Sequence, residues 1–281
     1  MIKKIAFVTA LLPALSWAES PKTWTHDFSL GAEILNYHYK EPDLYQENNE
    51  DKMWMDLKGV LFGIQGSYRL TYKNMLFLQP EGRLLMGREA YRCGDNSGLT
   101  GKTKRDIPDL IAESRLLAGS NIHILSSVTL SPYTGIGYRL KIDDSEQAIL
   151  LTEANDLVFN DHALGFYRKS NYIYIPLGAE VRYQVSDVWS VSARGEYDYL
   201  IKGWQYTRAE KKAIPHPTTT NEQKGTHGWK GEISVGYQLE KVKLSLTPYL
   251  YYWHIGNSEW KNGREPYNRT IETGLRFGVS F

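Results

Sequence analysis

The last twelve residues alternate without a break. From Thr270 to Phe281 the apolar residues Ile271, Leu275, Phe277, Val279 and Phe281 fall on one parity, and Glu272, Gly274, Arg276, Gly278 and Ser280 on the other. A period of two puts successive side chains on opposite faces of a β-strand. The segment from Val242 to Tyr252 repeats it, with Val242, Leu244, Leu246, Pro248, Leu250 and Tyr252 set against Lys243, Ser245, Thr247, Tyr249 and Tyr251. In Trp189 to Ile201 the apolar and aromatic parity opposes Ser190, Ser192, Arg194, Glu196, Asp198 and Leu200, and Ile173 to Val185 follows the same rule. No segment sustains the three-to-four spacing of an amphipathic helix. The pattern predicts ten strands, near 27–40, 54–72, 74–91, 109–125, 127–141, 171–185, 188–204, 228–240, 242–256 and 266–281.

Alternation alone also fits a soluble sandwich with one wet face per sheet. The connections discriminate. Tyr72–Asn74, Leu125–Ser127, Ser186–Asp187 and Glu240–Lys241 are tight turns, whereas 41–53, 92–108, 142–170, 205–227 and 257–265 are long and polar. Short turns on one rim, long loops on the other, an even strand number and both termini on the short rim predict an all-β, closed, antiparallel up-and-down transmembrane barrel. Eight and twelve strands are the neighbouring alternatives. Closure pairs every backbone group while the apolar face meets lipid. Aromatic residues fall where interfacial belts are expected: Tyr68, Tyr72, Tyr183, Trp189 and Tyr237 beside the short turns, and Trp54, Tyr138, Trp204, Trp229, Tyr252 and Trp253 toward the long loops.

Composition narrows the reading further. The 281 residues are 42% hydrophobic, 13% aromatic and 23% charged, which excludes disordered, collagenous and coiled-coil classes. The only long uncharged apolar run, Ile5 to Trp17, is too short to cross a bilayer as a helix, which takes about 20 residues. Preceded by Lys3 and Lys4 and followed by Ser16-Trp17-Ala18, it reads as a signal peptide cleaved after Ala18, leaving a single barrel domain over 19–281. Basic and acidic residues nearly balance, so no nucleic-acid partner is expected. Cys93 is the sole cysteine, and the fold cannot rest on intrachain disulfides.

The terminal Leu275-Arg-Phe277-Gly-Val279-Ser-Phe281 resembles the C-terminal signature of Gram-negative outer-membrane β-barrels. The resemblance implies that the barrel-assembly machinery reads Leu275, Phe277, Val279 and Phe281. It also implies residence in the bacterial outer membrane among its lipid and lipopolysaccharide, as a monomer. In strand number and size the chain is similar to omptin proteases and to the ten-stranded adhesin barrels of pathogenic Neisseria.

On the inward parity, charges of opposite sign recur two residues apart: Glu81 with Arg83, Glu113 with Arg115, Glu180 with Arg182, Arg194 with Glu196 and Asp198, and Lys230 with Glu232. Glu272, Arg276, Glu33 and Arg69 join them. Residues two apart share a face and reach neighbours on adjacent strands. Ten strands enclose a bore little wider than one that side chains fill. The expectation is therefore a largely plugged, charge-laced lumen in a non-enzymatic surface or structural protein that can bind ligands or host molecules through its loops. A narrow pore for small solutes is the first alternative, and an outer-membrane hydrolase, protease or lipid A-modifying, the second.

Candidate chemistry is sparse. Omptin-like proteolysis needs Asp-x-Asp and Asp-x-His pairs facing each other across an outer cleft, and no segment reproduces them. The nearest materials are Asp198, His227, Asp156, Asp161-His162 and Asp95. His38, His254 and Ser258 are isolated candidates for lipid chemistry, and Asp156, Asp161 and His162 offer the one loose metal-type grouping. No cofactor or metal is expected. The loops are charge-sorted, with 92–108 and 205–227 basic and 142–161 acidic. Ile149, Leu150, Leu151, Leu157, Val158 and Phe159 predict that the acidic loop folds back as a hairpin extension or short helix over the barrel.

Overall fold

The computed structural model describes residues 23–42, 54–94, 100–103, 106–146, 150–152, 166–209, 216–259 and 265–281. The expected signal peptide, Asp95, Ile149, Asp156, Leu157, Val158, Phe159, Asp161 and His162 lie outside the described residues. Among the described residues fourteen strands form: β1 (Trp24–Glu41), β2 (Trp54–Tyr72), β3 (Leu76–Gly94), β4 (Thr100–Thr103), β5 (Ile107–Ser120), β6 (Ile122–Leu125), β7 (Val128–Asp144), β8 (Leu150–Thr152), β9 (Tyr167–Gln184), β10 (Trp189–Ala209), β11 (His216–Gln223), β12 (His227–Gln238), β13 (Lys243–Ile255) and β14 (Asn268–Ser280). Ten of them pair antiparallel in a closed ring, in the order β1, β2, β3, β5, β7, β9, β10, β12, β13, β14. The seam between first and last strand aligns Glu33 with Arg276 and Tyr37 with Glu272. Phe281 locks its lower end, where the Phe28 and Phe281 backbones exchange hydrogen bonds of 3.3 and 2.9 Å.

Parity sets the two faces of the wall. Phe62, Ile64, Ile136, Leu177, Ile233 and Phe277 point outward and are more than half exposed, while Leu35, Leu57, Leu61, Leu85, Ile111 and Leu117 point inward with no exposed surface. The turn between β2 and β3 has Lys73 and Asn74 at φ of 49° and 57°, closed by Met75 N–H donating to the Tyr72 carbonyl at 2.9 Å. Two successive positive φ values make a type I′ turn, whose twist matches that of the flanking strands.

Four expectations are corrected. The fourth strand is not continuous from 109 to 125 but breaks at Asn121, whose side chain accepts from Ser131 and donates to the Asn74 carbonyl. The stretches 92–108, 142–170 and 205–227 are not loops throughout. β4 pairs with β8, so Leu150 and Leu151 lie in a strand beyond the ring rather than a helix, and β11 folds back on the outer half of β10. In β10 the register against β9 shifts between Leu200 and Lys202, so that above it Gly203 and Gln205 are the buried residues rather than the even-numbered ones. A bulge inserts one residue and reverses the parity beyond it. Trp253, expected in the outer aromatic belt, is 2% exposed inside the lumen, edge-on to Tyr174. Its parity matches that of Tyr249 and Tyr251, and parity prevails over nearness to the strand end.

Glycines open room for tyrosines across the lumen wall. Gly137 stands opposite Tyr174, Gly178 opposite Tyr133 and Gly274 opposite Tyr249. A Cβ on Gly137 or Gly274 would meet the facing ring at 2.2 Å. Each tyrosine thus lies over a glycine and reaches a carboxylate, Tyr174 to Glu113, Tyr249 to Glu33 and Tyr133 to Glu196. Gly137→Val drives the Tyr174 ring off its seat. The expected cost is about 1–3 kcal/mol, as for an overpacked core, read as a lower temperature for losing the compact mobility of the unboiled protein. Gly195→Ala, with nothing within 4 Å of its added Cβ, leaves that temperature unchanged.

Candidate functional site

Inside the ring the side chains lie in layers along the bore. Nearest the short turns is an open vestibule of about 220 Å³, lined by serines and by Arg69, Glu180, Arg182 and Lys243. Arg182 donates to Glu180 at 2.8 Å and Arg69 lies 3.7 Å from the same carboxylate. Above them Glu81 takes Arg115 at 2.9 Å and Arg194 at 3.2 Å. Arg115 also donates to Glu196 at 2.6 Å, and Arg194 to the Tyr133 hydroxyl at 2.8 Å. On the seam side Arg276 donates to Glu232 at 3.0 Å and sits 3.4 Å from Glu33.

Two cations hold the middle layer. The Arg83 guanidinium, projecting from β3, donates to Glu113 on β5 at 2.7 Å, Glu33 on β1 at 3.1 Å and Glu272 on β14 at 2.8 Å. Lys230, from β12, is 3.1 Å from each of Glu113, Glu196 and Asp198, and its ammonium stands 4.9 Å over the Tyr174 ring. Each of these carboxylates has 4% or less of its side chain exposed. Carboxylates so buried persist only because cations compensate their lost hydration. The fifteen inward charges read from the sequence all stand on this wall, but most partners lie on other strands. Glu180 with Arg182 is the two-apart pair that bonds directly.

A second tier of charges escaped the sequence reading. Arg139 donates to Glu272, and Lys141 bonds Asp109, with Glu89 at 3.4 Å and Asp143 at 3.7 Å. Parity could have found them: Asp109 precedes Glu113 and Arg115 on the same face of β5, and Arg139, Lys141 and Asp143 share one face of β7. At the outer ends of β1, β7 and β9, Arg168 donates to Asp143 at 2.8 Å and Glu41 at 3.2 Å. The Tyr39 hydroxyl donates to Glu41, and Thr207 to Glu265 at 3.0 Å. Burial pushes the Glu41 carboxyl up to about 7 against the opposing pull of Arg168, and burial also raises Glu265.

The catalytic candidates do not assemble. Asp198 is buried in the lumen, whereas His227 pairs in register with Tyr199 and stacks on His254 at 4.9 Å on the outward face. Asp198 and His227 therefore stand on opposite sides of the wall and form no acid–histidine pair. Ser258 donates to the Glu259 carbonyl and accepts from the Glu265 N–H, pinning its loop. His38 lies on the outer wall, 3.7 Å from Asp56. Among the described residues no group of three or more His, Cys, Asp or Glu side chains converges as a metal site.

No family model matches the chain, and no curated protein matches it. Among solved structures it is similar to the outer membrane protease OmpT from Escherichia coli, with 12% identity, 95% of this chain and 98% of that one covered, and a TM-score of 0.68. OprG of Pseudomonas aeruginosa (10% identity, 91% and 95% coverage) and Ail of Yersinia pestis (11%, 91% and 99%) align at TM-scores of 0.35 and 0.32, too low to define a shared architecture. The likeness to OmpT is one of fold: a closed ten-strand barrel of the outer-membrane kind.

Two outcomes follow from the layers. Arg83→Ala leaves three buried carboxylates short of their shared cation and is expected to cost about 3–5 kcal/mol, measured by urea unfolding in lipid. Lys243→Ala in the open vestibule serves as the reference, and equal effects would contradict the central role of Arg83. Glu41 titrates higher in the fold than its ordinary value of about 4.5, so its contribution is complete below that value and is lost as pH rises through about 7. Relative to Glu41→Gln, the thermal midpoint of the wild type should thus fall between pH 5 and 8. A difference between wild type and Glu41→Gln that stays constant or rises over this window would refute the assignment.

Proposed function

We propose that the chain is a monomeric outer-membrane protein, exported by residues 1–18, with a lumen closed to solute flow and its activity confined to its outer surface. In this reading it is a non-enzymatic surface or structural barrel, and its terminal strand residues Leu275, Phe277, Val279 and Phe281 are the assembly signal. The closed ring with an apolar outer face supports the membrane assignment, because such a wall leaves no backbone group unpaired in hydrocarbon.

The observation that carries the closed lumen is the span of Arg83, whose one guanidinium ties β3 to β1, β5 and β14. The vestibule lies on the short-turn side of this layer. Toward the outer end a second cavity, between Tyr37, Tyr39, Arg139 and Arg168, measures about 20 Å³. That is room for roughly one water molecule. The vestibule ends on Arg83, Glu113 and Lys230, and an ion passing from it toward the outer cavity would have to part buried ion pairs. The purified barrel in planar bilayers is expected to give no discrete conductance steps. Stable steps of one defined size would replace this reading with the narrow pore.

A further inference from the structure

At its short-turn end the bore is walled by small hydroxyl residues, where the layer above is walled by long charged ones. On β1 Ser29 stands opposite Ser280 of β14 and Ser67 of β2, and on β10 Ser192 stands opposite Ser234 of β12. Ser245 of β13 stands opposite Gly278. Six neighbouring strands, from β10 round to β2, thus each set a serine against the vestibule. Its 220 Å³ exist because these side chains are short.

The cavity holds donors that the fold leaves free. Ser29 and Ser67 share a hydrogen bond of 3.2 Å and Thr247 donates to Ser234 at 2.8 Å, whereas the hydroxyls of Ser192, Ser245 and Ser280 have no partner among the described residues. Among those residues Lys243 likewise has no carboxylate within 4.0 Å. Its chain lies over Gly236, where an added Cβ would run into Lys243 Cε and stand 3.0 Å from its Nζ. Arg69 and Arg182 share the one carboxylate of Glu180, at 3.7 and 2.8 Å. Eight cationic and five acidic side chains line the whole cavity. The turns at this rim, 73–75, 126–127, 185–188 and 239–242, are all described. The residues before Thr23 hold three lysines and one glutamate, and so bring no negative excess to it.

We propose that the vestibule is a binding site for a phosphate group, free or at the end of a monoester whose remainder projects through the open mouth. Guanidinium and ammonium groups compensate the charge of such an anion, and serine hydroxyls, which turn to suit, donate to its remaining oxygens. A cleft with low-dielectric walls focuses the field of its surplus cations inward. The site rests on the closed lumen proposed above: the layer of Arg83 and Lys230 bars the way outward, so the anion is held as a constituent of the wall and is not conducted.

The test titrates the barrel of residues 19–281, in neutral detergent and low-chloride buffer, with inorganic phosphate and separately with glycerol 3-phosphate, read by calorimetry. Saturable binding of at least one of them at one site per chain is expected, persisting when sodium chloride is added at the same concentration. Lys243→Gln is expected to weaken binding about tenfold and Arg182→Gln/Lys243→Gln about a hundredfold, as for lost hydrogen bonds to a charged group. Gly236→Ala, which keeps every charge but unseats Lys243, is expected to weaken it as well, and Lys58→Gln on the outer wall should bind as wild type. Binding of inorganic phosphate alone would support the site as one for the free anion, and tighter binding of the monoester as one for the esterified group. No saturable heat with either, or wild-type affinity in the double variant with its unboiled mobility intact, would overturn the proposal. Discrete conductance steps would instead defeat the closed lumen, whatever the heats show.

Discussion

A barrel wall in hydrocarbon must turn its polar side chains inward, and ten strands leave them too little room to keep their water. Each charge that faces the bore therefore has to find its counter-charge on another strand. The Arg83 guanidinium is the clearest case, since it sits among Glu33, Glu113 and Glu272 from three strands and serves all of them. Buried ions of this kind contribute little net stability when complete, and removing one member strands the rest. The network is better understood as fixing which strand positions face one another than as a store of energy.

Packing follows from that requirement. The tyrosines that deliver hydroxyls to Glu33, Glu113 and Glu196 need to lie across the wall, and glycine is the residue that leaves them space. The apolar side chains Leu35, Leu57, Leu61, Leu85 and Ile111 fill the outer part of the bore along β1, β2, β3 and β5. Charge is thus concentrated where carboxylates and cations can interleave, and hydrocarbon occupies the remainder.

Much of the architecture was legible because its signals are local. Parity assigns Phe277 and Glu272 to opposite faces, and turn length separates the two rims. Partner choice was not legible. Glu81 and Arg83 are two residues apart, yet Glu81 bonds Arg115 and Arg194, while Arg83 bonds acids on three other strands. Lys230 and Glu232 likewise part company, the second going to Arg276. Glu89 and Asp109 obey the same parity inside the expected strands but have no opposite charge two residues away, and Asp143, two residues from Lys141, lies beyond the expected strand end.

The sequence by itself determined the class of wall, its two faces, its short and long rims and the inward placement of its charges, because period two and turn length need no knowledge of neighbours. Only the tertiary structure decided which charges meet, how far the vestibule reaches, that Trp253 faces inward, and that Asp198 and His227 are separated by the wall. These depend on the stagger between strands, and one inserted residue in β10 is enough to reset the faces beyond it. Stagger is a property of the closed ring, fixed when β14 meets β1, and no single strand carries it.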